Sequence, residues 1–305
     1  MSASQRDVKN RIGSVKNIQK ITRAMEMVAA ARLRRAEQRI EALRPYAAAI
    51  RRMTRQAAEA AGSEMSGVPI LSEHETENTV ALLLVTGDRG LAGAFNSQII
   101  RAGLRAAREH EGGGRSVLYS AVGRRGVSTL NFRGKEPVGR YVGFTDRPSY
   151  ADAREIAEEL IAAYVDGKAD RVEIFYNGYI SPLTQEVRRE TLLPLQQATI
   201  LEGTERDREG AEAEEESGHH ALVEYEPDPE EILARLIPDY VEISVYRALL
   251  ESTASEHGAR MTAMRNASQN AGELIEDLTL EMNRARQAEI TQEIMEVVAG
   301  AESLT

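Results

Sequence analysis

None of the 305 residues is cysteine, which removes disulfides, thiol nucleophiles, thiolate metal sites and thiol redox switching from the open functions. Tryptophan is absent too, and aromatic residues make up only 5% of the chain. With abundant Ala, Arg, Glu and Leu, that scarcity points to long helices over a compact all-β core. No run of 18 apolar residues occurs, so no segment is expected to span a membrane. The polar run Met1 to Asn10 lacks an apolar signal region, so no secretory signal is expected.

What is present allows a sizeable core: 42% hydrophobic and 28% charged residues, in a length that suits one large domain or two ordinary ones. The net charge of −10 is unevenly spread. Residues 1–60 carry 14 Arg/Lys against 5 Asp/Glu, whereas residues 202–231 carry 13 Asp/Glu against 2 Arg. Each run reads either as a solvated face or, for the basic segment, as a surface for an acidic partner. No aromatics interleave with the first basic residues and no nucleic-acid motif appears, so nucleic acid is not expected as a partner.

Hydrophobic spacing sets the architecture. Arg6 to Ala61 reads as helix, with apolar residues at Ile18, Ile21, Met25 and Val28, then at Leu33, Ala36, Ile40, Leu43, Ala47 and Ile50. That is a heptad seam with one phase shift between Val28 and Leu33. Pro45 is expected to kink or interrupt the helix near Arg44. Toward the C-terminus, Met261, Met264, Ser268, Ala271, Ile275, Leu278, Met282 and Ala285 alternate in steps of three and four, and the stripe continues through Ile290, Ile294, Val297 and Ala301 after a one-residue slip. Such a helix spans roughly 90 Å at 1.5 Å per residue, more than a globular core of this size can cover. Its expected cover is the other terminal helix, antiparallel. The C-terminal helix, the longer of the two, is expected to project beyond the pair past about Arg286, and a projecting apolar stripe implies another protein around it. The methionines at 25, 27, 261, 264 and 282 fit packing in that coiled coil better than a ligand groove.

Between the terminal helices the pattern changes to α/β. Thr79–Val85, Ser116–Val122 and Arg171–Asn177 read as strands, Glu186–Leu193 as a fourth, and Ser97–His110 and Ser149–Val165 as helices, the latter with Ser149 as N-cap. The alternation predicts a mainly parallel, Rossmann-like sheet. The fold class is therefore α/β with long helices. Residues 1–62 and 230–305 form a discontinuous coiled-coil shaft, 75–200 an α/β domain, and 201–229 an acidic loop and return segment. The turn Gly87-Asp88-Arg89-Gly90-Leu91-Ala92-Gly93 sits where a phosphate loop would, but lacks both the G-x-G-x-x-G spacing and a P-loop lysine, so it reads as a close-packed strand-to-helix turn. His219-His220 lies in the acidic loop, without the fixed geometry a metal needs. His257 reads as a packing residue. No catalytic residue, cofactor or metal ligand is assigned. On residues alone, a coiled-coil adaptor and an α/β enzyme with helical arms both stay open.

Particular stretches then carry a resemblance. The run Ile12 to Ala30 (IGSVKNIQKITRAMEMVAA), Arg44-Pro45-Tyr46, Thr86 to Asn96 (TGDRGLAGAFN), Tyr225 to Pro229 (YEPDP), Ala285 to Glu293 (ARQAEITQE) and Gly300-Ala301 closely resemble, in order, the gamma subunits of F-type ATP synthases. The resemblance implies a central rotor shaft that couples proton-driven rotation of the c-ring to ATP synthesis in a ring of alpha and beta subunits. It implies epsilon and the c-ring as partners at the foot, delta in the holoenzyme, and catalytic residues that belong to the ring. It implies a peripheral position on the cytoplasmic face of a bacterial cell membrane. By the same resemblance, Arg23 and Met25 meet a beta-subunit lever, and Arg286, Gln287 and Thr291 contact the ring's inner loops. Glu293 to Thr305 is the sleeved tip, and Tyr225 and Glu226 face the c-ring. Some relatives, in photosynthetic organelles, carry a cysteine-bearing regulatory insert; here dithiol control is excluded, and Ala92 stands where some relatives have cysteine. The Glu-rich loop 202–220 reads as a tolerated surface extension. A non-rotary coiled-coil scaffold or adaptor is the alternative.

Overall fold

The computed structural model describes residues 5–61, 69–195 and 229–302. The chain divides into two compact units, Met1–Ala31 with Arg260–Thr305, and Arg32–Ala259. Two long helices, α1 (Gln5–Ala61) and α5 (Pro229–Glu302), contribute to both.

In the first unit the two helices run antiparallel. Val8 and Ile12 pack with Leu278, flanked by Val15, Ile275 and Met282. Farther along, Gln19 Nε2 donates to the Ser268 carbonyl at 3.2 Å, and Arg265 pairs with Glu26 at 2.9 Å. Residue number rises on one helix as it falls on the other. On α5 all eight seam positions from Met261 to Ala285 are buried or half-buried, as the spacing predicts, and Arg286 to Ala299 are exposed throughout.

On α1 the covered positions differ from the expected ones. Ile18, Ile21 and Val28 are 54%, 59% and 53% exposed, and Met27 is 64% exposed. The covered line is Val8, Ile12, Val15, Gln19, Thr22, Glu26 and Ala29. Its steps of four and three continue into Leu33, Ala36, Ile40, Leu43, Ala47 and Ile50, so there is no phase shift. The misreading has a physical cause. Three consecutive seam positions are polar and satisfy one another or α5 by hydrogen bonds, while apolar residues run beside them on the exposed face. Pro45 does not interrupt α1. Pro45 and Tyr46 are exposed, so water can bond the carbonyl group that the proline ring leaves without a donor.

The second unit is a three-layer α/β structure. Its sheet is β1 (Thr79–Val85), β2 (Ser116–Val122), β3 (Gly139–Tyr141), β4 (Arg171–Tyr179) and β5 (Gln185–Leu193), ordered β3-β2-β1-β4-β5. The first four are parallel, and β5 pairs antiparallel with β4. The helices are α2 (Phe95–Gly112), α3 (Arg124–Phe132) and α4 (Tyr150–Val165). The sequence pattern misses α3 and β3, which at nine and three residues are too short to show a period. In β1, Ala81, Leu83 and Val85 face a core built with α4 and α5, and Val80, Leu82 and Leu84 face one built with α2 and α3. Burial on both faces explains why β1 is a continuous apolar run. Ser149 caps α4: its hydroxyl accepts from Asp152 N at 3.3 Å, and the Asp152 carboxylate accepts from Ser149 N at 2.7 Å.

Candidate functional site

In a sheet with this order the strand sequence reverses between β1 and β4, and the crevice beyond their C-terminal ends is where such folds take ligands. Here α5 fills it. A Cβ on Gly87 would lie 2.7 Å from the Glu256 carboxyl, so any larger residue would have to push that buried side chain aside. Thr253 Oγ1 donates to the Thr145 carbonyl and Ser255 Oγ to the Asn177 carbonyl, each at 3.0 Å. A polar stretch of α5, from Glu251 to His257, is buried throughout against the strand ends.

The turn after β1 is held as a joint. Asp88 accepts backbone N–H bonds from Arg124 at 3.0 Å, Gly143 at 2.9 Å and Thr145 at 3.2 Å, which ties three loops to one carboxylate. Burial pushes its pKa up, but these bonds and the Thr145 hydroxyl outweigh burial and hold the carboxyl below its ordinary 3.8. Asn96 accepts from Gly87 N at 2.8 Å and donates to the Arg89 carbonyl at 3.3 Å. Gly87 of this turn thus serves packing, and Gly93 takes the left-handed conformation at φ 55°. Asp170 does similar work at the opposite strand ends. It accepts from Asn78 N and Thr79 N at 2.9 and 2.8 Å, and it pairs with His74 at 2.7 Å.

A second polar cluster fastens both long helices to the end of β4. The Tyr179 hydroxyl donates to Glu37 of α1, while its backbone N–H donates to Glu251 of α5 at 3.3 Å. Burial and the Glu37 carboxylate both raise the phenol's pKa, so it stays a donor. Arg188 of β5 donates to the same Glu251 at 2.9 Å. Arg32 of α1 pairs with Asp146 at 2.8 Å, and Arg89 pairs with that aspartate at 3.2 Å. The sequence reading assigns none of these residues. The one trace is the run of Glu, Ser and Thr in a helix whose preceding residues, Val245, Ala248 and Leu249, are core.

The residues to which the resemblance gives partner contacts lie in two places. Arg23 is exposed and Met25 half-buried, beside the Glu26–Arg265 pair. Arg286, Gln287 and Thr291 are exposed, past the last covered seam residue Ala285, about 30 Å farther along α5 at 1.5 Å per residue. Thr291 Oγ1 is bonded to the Gln287 carbonyl at 2.8 Å. The two groups are not brought together. Tyr225, Glu226, the acidic loop 201–229 up to Asp228, and His219-His220 lie outside the described residues. His257 is buried. Among the described residues no helix is long and apolar enough to cross a membrane.

An antiparallel helix pair, continuous in sequence with a Rossmann-like unit whose crevice is filled by a helix, defines an α/β class of protein with long helical arms. A family profile described as ATP synthase matches residues 4–304. The chain is 44% identical over 302 residues to the ATP synthase gamma chain of Rubrobacter xylanophilus, covering 99% of each, and 42% identical over 308 residues to that of Streptomyces coelicolor, covering 100% of this chain and 97% of the relative. The central stalk and c-ring structure of the Tetrahymena thermophila mitochondrial ATP synthase aligns at a TM-score of 0.57 and 27% identity, over 81% of this chain and 99% of that one. A Euglena gracilis mitochondrial ATP synthase chain, from the OSCP/F1/c-ring in rotational state 3, shares the fold at a TM-score of 0.65 and 20% identity, over 98% and 94% of the two chains. The chain belongs to the ATP synthase gamma chain family.

Proposed function

We propose that the chain is the central rotor shaft of an F-type ATP synthase and couples proton-driven rotation of a c-ring to ATP synthesis in an alpha/beta ring. Membership of the gamma chain family over the whole length is the observation that carries this reading. The geometry supports it from two sides. The crevice that an enzyme of this fold would use is filled by α5, so the chain acts as a non-catalytic subunit. The antiparallel pair leaves apolar residues on its outside, at Ile18, Ile21 and Val28 and from Ile290 to Val298, as a part enclosed by other subunits requires.

In this reading residues 1–62 and 230–305 are the shaft and 75–200 the foot. Arg23 and Met25 meet a beta-subunit lever, and Arg286, Gln287 and Thr291 meet the ring's inner loops. Tyr225 and Glu226 face the c-ring, with epsilon beside the foot and delta in the holoenzyme. The complex is peripheral, on the cytoplasmic face of the cell membrane. To enforce different states on three like sites, an asymmetric object must favour one state at each. Two paired helices with polar rungs on one stretch and apolar rungs on another provide such asymmetry.

The test is a mild-detergent pull-down of the tagged chain from native membranes, with mass spectrometry and a hydrolysis assay. The expected result is stoichiometric alpha, beta and epsilon, with ATP hydrolysis only in the complex. Recovery of the chain alone, without those partners, overturns the reading.

A further inference from the structure

Resting on that reading, we propose that Tyr179, with the Arg32–Asp146 pair, is the clamp by which the sheet unit grips α1 and α5 and passes torque into them. These are positioning residues, and their role lies in mechanics, not in chemistry at the nucleotide.

The argument starts from helix geometry. Leu33, Ala36 and Ile40 form the covered stripe of α1 where it enters the second unit. Residues on an α-helix are spaced about 100° apart round the axis, so Arg32 and Glu37 fall about 70° to either side of that stripe, about 140° from each other. Apolar packing along one stripe resists separation but offers little resistance to a helix rolling on its own axis, because dispersion contacts are non-directional. Two polar contacts on opposite flanks do resist rolling, since a turn in either direction lengthens one of them. Arg32 holds one flank through Asp146 at 2.8 Å, and Glu37 holds the other through the Tyr179 hydroxyl.

The same end of β4 holds α5. Glu251 accepts from Tyr179 N at 3.3 Å and from Arg188 at 2.9 Å, and one turn on, Ser255 donates to the Asn177 carbonyl. Tyr179 therefore bonds both helices at once, one through its ring and one through its backbone. The strand that carries it is an inner one, paired with β1 through Phe175 and with β5 as far as Tyr179 itself, so the grip is anchored in the sheet. Asp146 is shared with Arg89 of the turn after β1, which braces the Arg32 flank against the Asp88 joint.

The bracing makes a clean test possible. Replacing Arg32 leaves Asp146 paired with Arg89, and Tyr179→Phe keeps the ring and the backbone bond to Glu251. The double variant R32Q/Y179F thus loses both flank contacts while Asp146 keeps Arg89 and the half-buried Glu37 can turn to water. With no native cysteine in the chain, Phe132→Cys gives a single attachment point on the second unit, where that side chain is 92% exposed.

The experiment fixes the alpha/beta ring of the assembled complex to glass, attaches a bead through Phe132→Cys, and records the bead's angular variance during ATP-waiting pauses. The double variant is expected to widen the variance about twofold while steady-state ATP hydrolysis is kept, since two directional contacts no longer oppose rolling. Arg32→Lys, which keeps the ion pair, is expected to restore most of the stiffness on that flank. An unchanged variance in the double variant overturns the clamp. Should the double variant fail to assemble, Tyr179→Phe alone is read the same way: a wider variance supports the clamp and an unchanged one overturns it. Failure of the rotor reading looks different, because the bead on the otherwise unaltered chain then does not turn with ATP at all.

Discussion

In residues 32–259 the strands β1, β2 and β4 send side chains into two separate cores, and helices cover both faces. Among the described residues of 1–31 and 260–305 each helix is covered by the other, along one stripe. There Val8, Ile12 and Leu278 with their neighbours form an apolar cluster. Between that cluster and Ala29 the covered positions of α1 are Gln19, Thr22 and Glu26, with Met25 half-buried beside them. The first arrangement stabilises itself by burying large apolar area. The second buries little and gives three of the seven α1 rungs to hydrogen bonds and an ion pair, which contribute little net stability in a partly wet setting. A helix pair of that kind leaves its apolar residues outside, where another chain can bury them.

The same type of substitution should therefore cost different amounts in the two units. Leu82, fully buried in the central strand, is the more severe site: Leu82→Asp is expected to cost more than about 4 kcal/mol and to prevent folding of the sheet unit, seen as loss of the urea transition. Leu278→Glu is expected to cost about 3 kcal/mol, and only locally. Hydrogen exchange should show residues 8–22 of α1 losing protection while β1 keeps its own. Equal loss of protection in β1 would break the contrast, because the two units would then unfold as one.

How far the sequence revealed this contrast depends on which residues carried the period. The α5 seam from Met261 to Ala285 was legible in full because small and apolar residues occupy every rung. The α1 seam was legible from Leu33 onward, but not before, because the polar residues at 19, 22 and 26 hid the register that Val8, Ile12 and Val15 had begun. Weighing Val8 and Ala29 together would have exposed it. Strands β1, β2 and β4 announced themselves by apolar runs buried on both faces. The clamp was not legible, since Tyr179 meets Glu37 across 142 residues of sequence and Arg32 meets Asp146 across 114. No local pattern encodes such pairs.

The crevice plug sharpens the comparison within the sheet unit. Gly87→Ala places a methyl group 2.7 Å from the Glu256 carboxyl, and overpacking of this kind is expected to cost about 1–3 kcal/mol in thermal stability. A neutral outcome would mean that α5 can lift away from the strand ends. Acid gives a gentler probe of the same loops. Asp88 and Asp170 both have folded pKa values below the ordinary 3.8, so their contribution is fully present above that value and is lost as pH falls through the lowered values. Thermal stability of the sheet unit should accordingly fall on acidification in that range, and Asp88→Asn should flatten the fall. An acid limb unaltered by Asp88→Asn would assign it to other carboxylates.

The smallest expected effect, and the only gain, belongs to the helix pair. Gly13 sits inside α1 on its exposed side, and a Cβ there would meet nothing within 4 Å. Glycine in a helix interior costs about 0.5–1 kcal/mol relative to alanine, because the unfolded chain loses more freedom on folding. Gly13→Ala in the isolated chain should therefore slow hydrogen exchange over the neighbouring turns of α1 and leave the sheet unit untouched, the opposite sign to Gly87→Ala. The same substitution in the assembled complex separates two uses of that face. If slower exchange comes with unimpaired ATP-driven rotation, the face is free at Gly13. If the stabilised helix turns poorly, a neighbouring subunit approaches closely enough to need the missing side chain.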